Sequence, residues 1–180
     1  MTTGDESVRR RERIIFNENQ IALRVKQVAA EIALRPARPE IAMPILVGAF
    51  VFAADLLREL ARHELQLETE FIWLRSYGAS NTPGALEVLK RPGESVRGRN
   101  VLLIDGVLDR GATLARARAL LQEAGASGII SAVAVIKAAP QPLFHADYAL
   151  FTAGSEFLYG YGMDRAGRDR GLPDIRVIDD

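Results

Sequence analysis

The chain contains no cysteine, so neither a disulfide framework nor a thiolate metal site is open to it. Histidine is nearly as scarce: His63 and His145 are the only two, and neither stands in a zinc-ligand pattern. Net charge is missing as well, since 23 basic residues balance 23 acidic ones. That balance argues against a nucleic-acid partner, whose binding draws on phosphate neutralisation by an excess of lysine and arginine. The longest apolar run, Ile41 to Ala54, is interrupted by Pro44 and Gly48. It falls short of the roughly 20 residues that a membrane-spanning helix needs, so no membrane partner is expected. The first residues lack the charged-then-apolar pattern of a secretory signal, which makes the cytoplasm the expected compartment.

What remains is a chain of 180 residues with 48% hydrophobic content, enough for one substantial core and short enough for one domain. Residues 1–13 are polar and charged and read as a loose N-terminal arm, leaving 14–180 as a single domain. Glu18 to Leu34 carries apolar residues at helical spacing and stops before Pro36. Ile41 to Val47 reads as a strand, Phe50 to His63 as a helix and Leu67 to Leu74 as a strand. Arg75 to Gly98, punctuated by glycine and proline, is a long loop with a hairpin in it, and loops of that length serve commonly as lids. Val101 to Asp105 and Ile129 to Ile136 add strands, while Tyr148 to Phe151 and Ile175 to Ile178 suit a small hood or a sheet edge. The alternation predicts an α/β fold with a mostly parallel central sheet.

The most informative stretch is Val101-Leu102-Leu103-Ile104-Asp105-Gly106-Val107-Leu108-Asp109-Arg110-Gly111-Ala112-Thr113-Leu114. Four apolar residues without period-2 alternation read as a strand buried on both faces. After Asp109 the spacing of Leu114, Ala117, Leu120, Leu121 and Ala124 becomes helical. A strand therefore runs through a glycine turn into a helix, whose first N–H groups have no internal partner and can hold a phosphate. The carboxylates ahead of the turn would repel a bare phosphate, which suggests a sugar hydroxyl, a Mg²⁺ ion or a basic ring atom nearby. The plain alternative is an ordinary turn in which Asp109 or Thr113 caps the helix.

This segment resembles the 5-phosphoribosyl-1-pyrophosphate (PRPP) motif of the type I phosphoribosyltransferases. Three more segments, in the family's order, resemble its hypoxanthine-guanine branch: Ile45 to Leu56 the pyrophosphate loop, Phe71 to Gly78 the strand and Ser-Tyr start of the lid, and Glu156 to Leu172 the base-pocket segment. The resemblance implies a type I phosphoribosyltransferase fold, with helices flanking the sheet, a hood made by the chain termini and a mobile lid. It implies Asp109 as the catalytic residue at the purine five-membered ring, and Asp109, Arg110, Gly111, Ala112 and Thr113 as the phosphate cradle. Lys137, Phe157 and Leu158 would meet the base. Lys137 would donate to a 6-oxo group and Phe157 would stack. Val47, Gly48 and Arg170 would line the pyrophosphate subsite, Ser76 and Tyr77 would begin the lid, and Asp105 and Asp164 would bind Mg²⁺ as the cofactor. The implied partners are a purine base or nucleotide, PRPP and pyrophosphate, in a homo-oligomer of two or four subunits. The resemblance also implies a cis peptide between Leu46 and Val47.

The implied reaction is displacement of pyrophosphate from ribose C1 by hypoxanthine or guanine, which makes positive charge around the leaving group valuable. There the chain departs from the family pattern. Val47 stands in place of a lysine, Trp73 of an arginine, Gly106 of a second acid and Arg110 of a threonine. On this reading, Val47→Lys together with Gly106→Asp is expected to raise turnover. The alternative function is a catalytically weakened purine-nucleotide sensor or regulatory protein of the same fold. A third is a transferase in which Arg110 reads a different phosphorylated sugar.

Overall fold

The computed structural model describes residues 12–76, 86–138 and 143–178. The chain opens with strand β1 (Glu12–Phe16), which takes in the last two residues of the segment expected as an arm. Helix α1 (Glu18–Ala33) starts at a capping box, where Asn17 Oδ1 accepts from the Gln20 N–H at 3.0 Å and Gln20 Oε1 accepts from the Asn17 N–H at 2.9 Å. Its stripe of Ile21, Val25, Val28, Ala29 and Ile32 is buried. There follow β2 (Ile41–Leu46), α2 (Phe50–Arg62), β3 (Glu68–Thr69), β4 (Ile72–Ser76), β5 (Leu86–Lys90), β6 (Asn100–Leu108), α3 (Ala112–Glu123), β7 (Gly128–Lys137), β8 (Tyr148–Ala153), β9 (Leu158–Tyr159) and β10 (Ile175–Ile178).

The main sheet runs β5-β4-β2-β6-β7-β8, with β3 beside β2, and only the β4–β5 hairpin is antiparallel. One core cluster joins α1 and α2 to Ala42, Leu102 and Ile104, and a second joins α3 to Met43, Val101 and Leu103. Burial on both faces is the reason β6 lacks polar alternation. A smaller sheet, β1-β10-β9, forms the hood from strands near both ends of the chain. The short piece at Tyr148 is thus a main-sheet edge, and the one at Ile175 belongs to the hood.

Two differences from the sequence reading bear on the site. The strand expected over Leu67 to Leu74 is broken into β3 and β4, opposite Met43 and Pro44. The Glu70 N–H reaches the Ala42 carbonyl. By the alternation of a strand, Pro44 turns the same way, and proline has no N–H to give. The second difference is that β6 does not stop at Asp105. Pairing of Val107 with Val135 and of Leu108 with Ile136 carries it three residues further, so Asp105 lies inside the strand.

Candidate active site

Beyond the carboxyl ends of β2, β4, β6 and β7 lie three adjoining cavities. The first, about 350 Å³, is lined by Val47, Gly48, Asp105, Val107, Thr113, Phe157, Leu158, Asp164 and Arg170 among others. It gathers the residues expected at the pyrophosphate, metal and base-stacking positions. The second, about 260 Å³, shares Asp105, Val107 and Thr113 with the first and adds Asp109, Arg110, Gly111 and Ala112. The third, about 240 Å³, takes in Asp109 and Lys137, the base-reading candidate, together with His145. Ser76 ends β4, and Tyr77 lies outside the described residues. A larger groove of about 380 Å³, between α1, α2 and residues 171–173, holds none of the expected site residues.

The turn ahead of α3 is built for an anion. Gly111 is the N-cap, at φ 88°, and no side chain among the described residues makes a capping hydrogen bond. Neither Asp109 nor Thr113 therefore plays the capping role that was the plain alternative, and the first N–H groups of the helix keep their capacity for an acceptor. Asp109 and Arg110 are exposed. Arg110 makes no side-chain hydrogen bond or ion pair within the described residues.

Asp105 is buried within β6, and its Oδ1 accepts from the Gly106 N–H at 2.7 Å. Burial without a neighbouring cation pushes its carboxyl up to about 7, against which the Gly106 hydrogen bond works only in part. Asp164 is held differently. Its Oδ1 pairs with Arg170 Nη2 at 2.7 Å and its Oδ2 accepts from the Gly167 N–H at 2.7 Å. Arg170 also donates from Nη1 to the Gly162 carbonyl at 2.7 Å. The cation expected at pyrophosphate and the carboxylate expected at the metal are thus an ion pair, which neither segment alone could reveal.

Phe157 is 54% exposed, which removes the reading of this aromatic as plain core. Leu158 is buried and pairs in β9 with Val177. Tyr161, nearby, donates to Asp55 Oδ2 at 2.9 Å, and burial beside that carboxylate raises its phenol above the usual range. This bond ties the segment to α2. The Leu46–Val47 peptide is cis. Val47 is 41% exposed, and Trp73, which pairs across β2–β4 with the preceding Leu46, is 38% exposed.

Residues 13–164 match the phosphoribosyl transferase domain. The hypoxanthine-guanine phosphoribosyltransferase of Aquifex aeolicus is 30% identical over 93% of this chain and 95% of its own length. That of Bacillus subtilis is 32% identical over 93% of each. The chain belongs to the hypoxanthine-guanine phosphoribosyltransferase family. Among solved structures, the hypoxanthine phosphoribosyltransferase of Trypanosoma cruzi in complex with its product IMP has a TM-score of 0.81, at 29% identity and 97% coverage of both chains. Another structure of that enzyme, from work on its oligomeric state, has a TM-score of 0.83 at 30% identity, covering 96% of this chain and 94% of the other. The expected type I phosphoribosyltransferase fold is the one observed.

Two residues that shape this phosphoribosyltransferase site were not legible in the sequence. Phe144 packs against the phosphate turn, where a Cβ on Gly111 would stand 2.7 Å from Phe144 Cβ and 2.9 Å from its nitrogen. His145, which stands in no zinc-ligand pattern, lines the cavity of Lys137 and Asp109. A glycine needing φ > 0 was a signal that something comes close, but the partner lies more than thirty residues along the chain.

Proposed function

We propose that this protein is a purine-salvage phosphoribosyltransferase, converting hypoxanthine or guanine and PRPP to the nucleoside monophosphate and pyrophosphate. The observation that carries this reading is the convergence of Gly48, Asp105, Thr113, Phe157, Asp164 and Arg170 on one cavity, continuous with the Asp109–Thr113 turn. The near full-length similarity to named transferases favours turnover over a purely sensory role.

In this reading the N–H groups of Gly111, Ala112 and Thr113 hold the 5′-phosphate, with the Arg110 guanidinium as an added cation. Phe157 lies against the purine and Lys137 donates to its 6-oxo oxygen, which an exocyclic amine cannot replace as acceptor. Asp109 takes or relays the N7 proton as N9 bonds to ribose C1. Val47, Gly48 and Arg170 bound the pyrophosphate subsite.

Among the described residues, no cluster of three or more His, Asp or Glu could hold a metal ion alone. Asp105 and Asp164 on one cavity nonetheless fit Mg²⁺, which takes one or two carboxylates and completes its shell with substrate phosphates and water. Those two residues would hold it, and it would supply neutralisation of the departing pyrophosphate. We also infer a homo-oligomer of two or four subunits, supported by Phe50 and Trp73, apolar and about two-fifths exposed near the end of β2. No described helix is long and apolar enough to cross a membrane.

Incubation with hypoxanthine, PRPP and Mg²⁺ tests the reading directly. Formation of inosine monophosphate is expected. No product, alongside measurable binding of the nucleotide, would overturn it in favour of a sensor.

A further inference from the structure

Two glycines make room for one carbonyl. A Cβ on Gly106 would stand 2.7 Å from the Gly48 oxygen and 3.2 Å from the Gly48 carbonyl carbon, and a Cβ on Gly162 would stand 2.5 Å from the same oxygen. Contacts under 3 Å to backbone force something to move. A Cβ on Gly48 itself meets nothing within 4 Å. The restriction therefore falls on the residues around Gly48, not on Gly48.

The two positions are constrained in different ways. Gly162 has φ 97°, so its backbone already favours glycine. Gly106 is an interior strand residue whose φ is not positive, so any residue could adopt its backbone. Space alone requires glycine there. On one side it is next to Asp105, on the other it meets the loop that carries Val47 and Gly48, and Met163 Cγ lies 3.6 Å from where its Cβ would be. Gly162 in turn gives its carbonyl to Arg170, the cation of the same cavity.

We propose that Gly106 and Gly162 form a steric seat that sets the position of the Gly48 peptide, and with it the pyrophosphate subsite. Gly106 is a positioning residue. The small residue where the family pattern has a second acid is thus a packing device and not simply a lost charge. A carboxylate at 106 meets the Gly48 oxygen with both its bulk and its like-signed charge, so the acid cannot be added without displacing the loop. This reverses the second half of the expectation that Val47→Lys with Gly106→Asp raises turnover. The identity of the ligand rests on the transferase reading; the seat itself rests on the geometry.

The test compares wild type, Gly106→Ala and Gly106→Asp by calorimetric titration with pyrophosphate and, separately, with inosine monophosphate, both with Mg²⁺, and by kinetics. Gly106→Ala adds bulk without charge. Both variants are expected to lose at least about tenfold in pyrophosphate affinity, with a matching rise in the KM for PRPP. Inosine monophosphate affinity should stay within about threefold, because the nearest atoms to a Cβ at 106 belong to Gly48 and Met163 and not to the Gly111–Thr113 turn. Unchanged pyrophosphate affinity in Gly106→Ala overturns the seat. So does equal loss of both ligands, the mark of general damage, or higher turnover in Gly106→Asp. Should Gly106→Ala not fold, Gly162→Ala meets the same carbonyl from another segment and carries the same expectation; failure of both to fold also overturns a local positioning role. Wild-type protein that binds pyrophosphate but makes no nucleotide refutes the transferase reading alone, and the variants' pyrophosphate affinities then still decide the seat.

Discussion

The Leu143 N–H donates to the Arg110 carbonyl at 2.8 Å, so the chain beyond β7 is fastened to the turn ahead of α3. Phe144, 6% exposed, then packs on Gly111, and the Arg118 guanidinium lies 5.8 Å from its ring centroid. The turn is thus braced by Leu143 and Phe144. Phe144→Ala is expected to destabilise the fold by about 3 kcal/mol, typical for a buried phenylalanine, and to raise the KM for PRPP more than the KM for hypoxanthine. Denaturant midpoints and steady-state kinetics on one preparation check both.

Asp109 sits exposed on that turn without capping the helix, which leaves its carboxylate available for proton transfer. Asp109→Asn should therefore lower kcat by about two to three orders of magnitude, within the range of general acid–base catalysis. Affinity for inosine monophosphate should change little. Loss of affinity with kcat preserved would assign Asp109 to binding instead.

Arg170 is the cation lining the cavity proposed to hold pyrophosphate, where Val47 brings no charge, and Arg170 is shared with Asp164. Val47→Lys, introduced alone, is expected to raise kcat/KM for PRPP by about tenfold, the scale of one charge-assisted hydrogen bond. The gain should shrink as salt is raised.

Lys137 closes β7 beside Asp109. Lys137→Met should raise the KM for hypoxanthine by about ten- to a hundredfold, since a buried oxopurine oxygen would lose its donor. The KM for PRPP serves as the internal control and should hold.

Asp105 gives a pH prediction with a defined sign. Its carboxyl is pushed to about 7 in the fold against an ordinary value of 3.8, so the folded protein binds a proton more tightly than the unfolded chain. The stability linked to this proton is fully present below about 3.8 and is lost as pH rises through about 7. Every tenfold by which folding tightens the hold on that proton corresponds to about 1.4 kcal/mol. Asp105→Asn should remove this downward slope, measured by urea denaturation between about pH 4.5 and 8. An unchanged slope would mean that the carboxylate is already stabilised in the native protein.

Short-range signals made much of this molecule readable. The β6-to-α3 junction is contiguous, and its apolar run, carboxylates, glycine and helical spacing all fall within some twenty residues. The hood and the parallel core followed from alternation and from the resemblance. What stayed hidden depends on pairs distant in sequence. The break between β3 and β4 comes from Pro44 in another strand, and the meaning of Gly106 depends on a carbonyl at Gly48. Asp164 and Arg170 were each legible as charged candidates, but not as partners of one another. A single sequence gives residue types and local spacing; it does not say which side chain another will already be holding.

The hood has a practical consequence. Val177 pairs with Leu158 and Arg176 with Tyr159, so the strand near the carboxyl end buttresses the segment proposed to meet the purine. Trimming back to Pro173, or splicing a fusion partner into Ile175–Ile178, removes that support from Leu158 and Tyr159, so tail design for this protein has to begin beyond that strand.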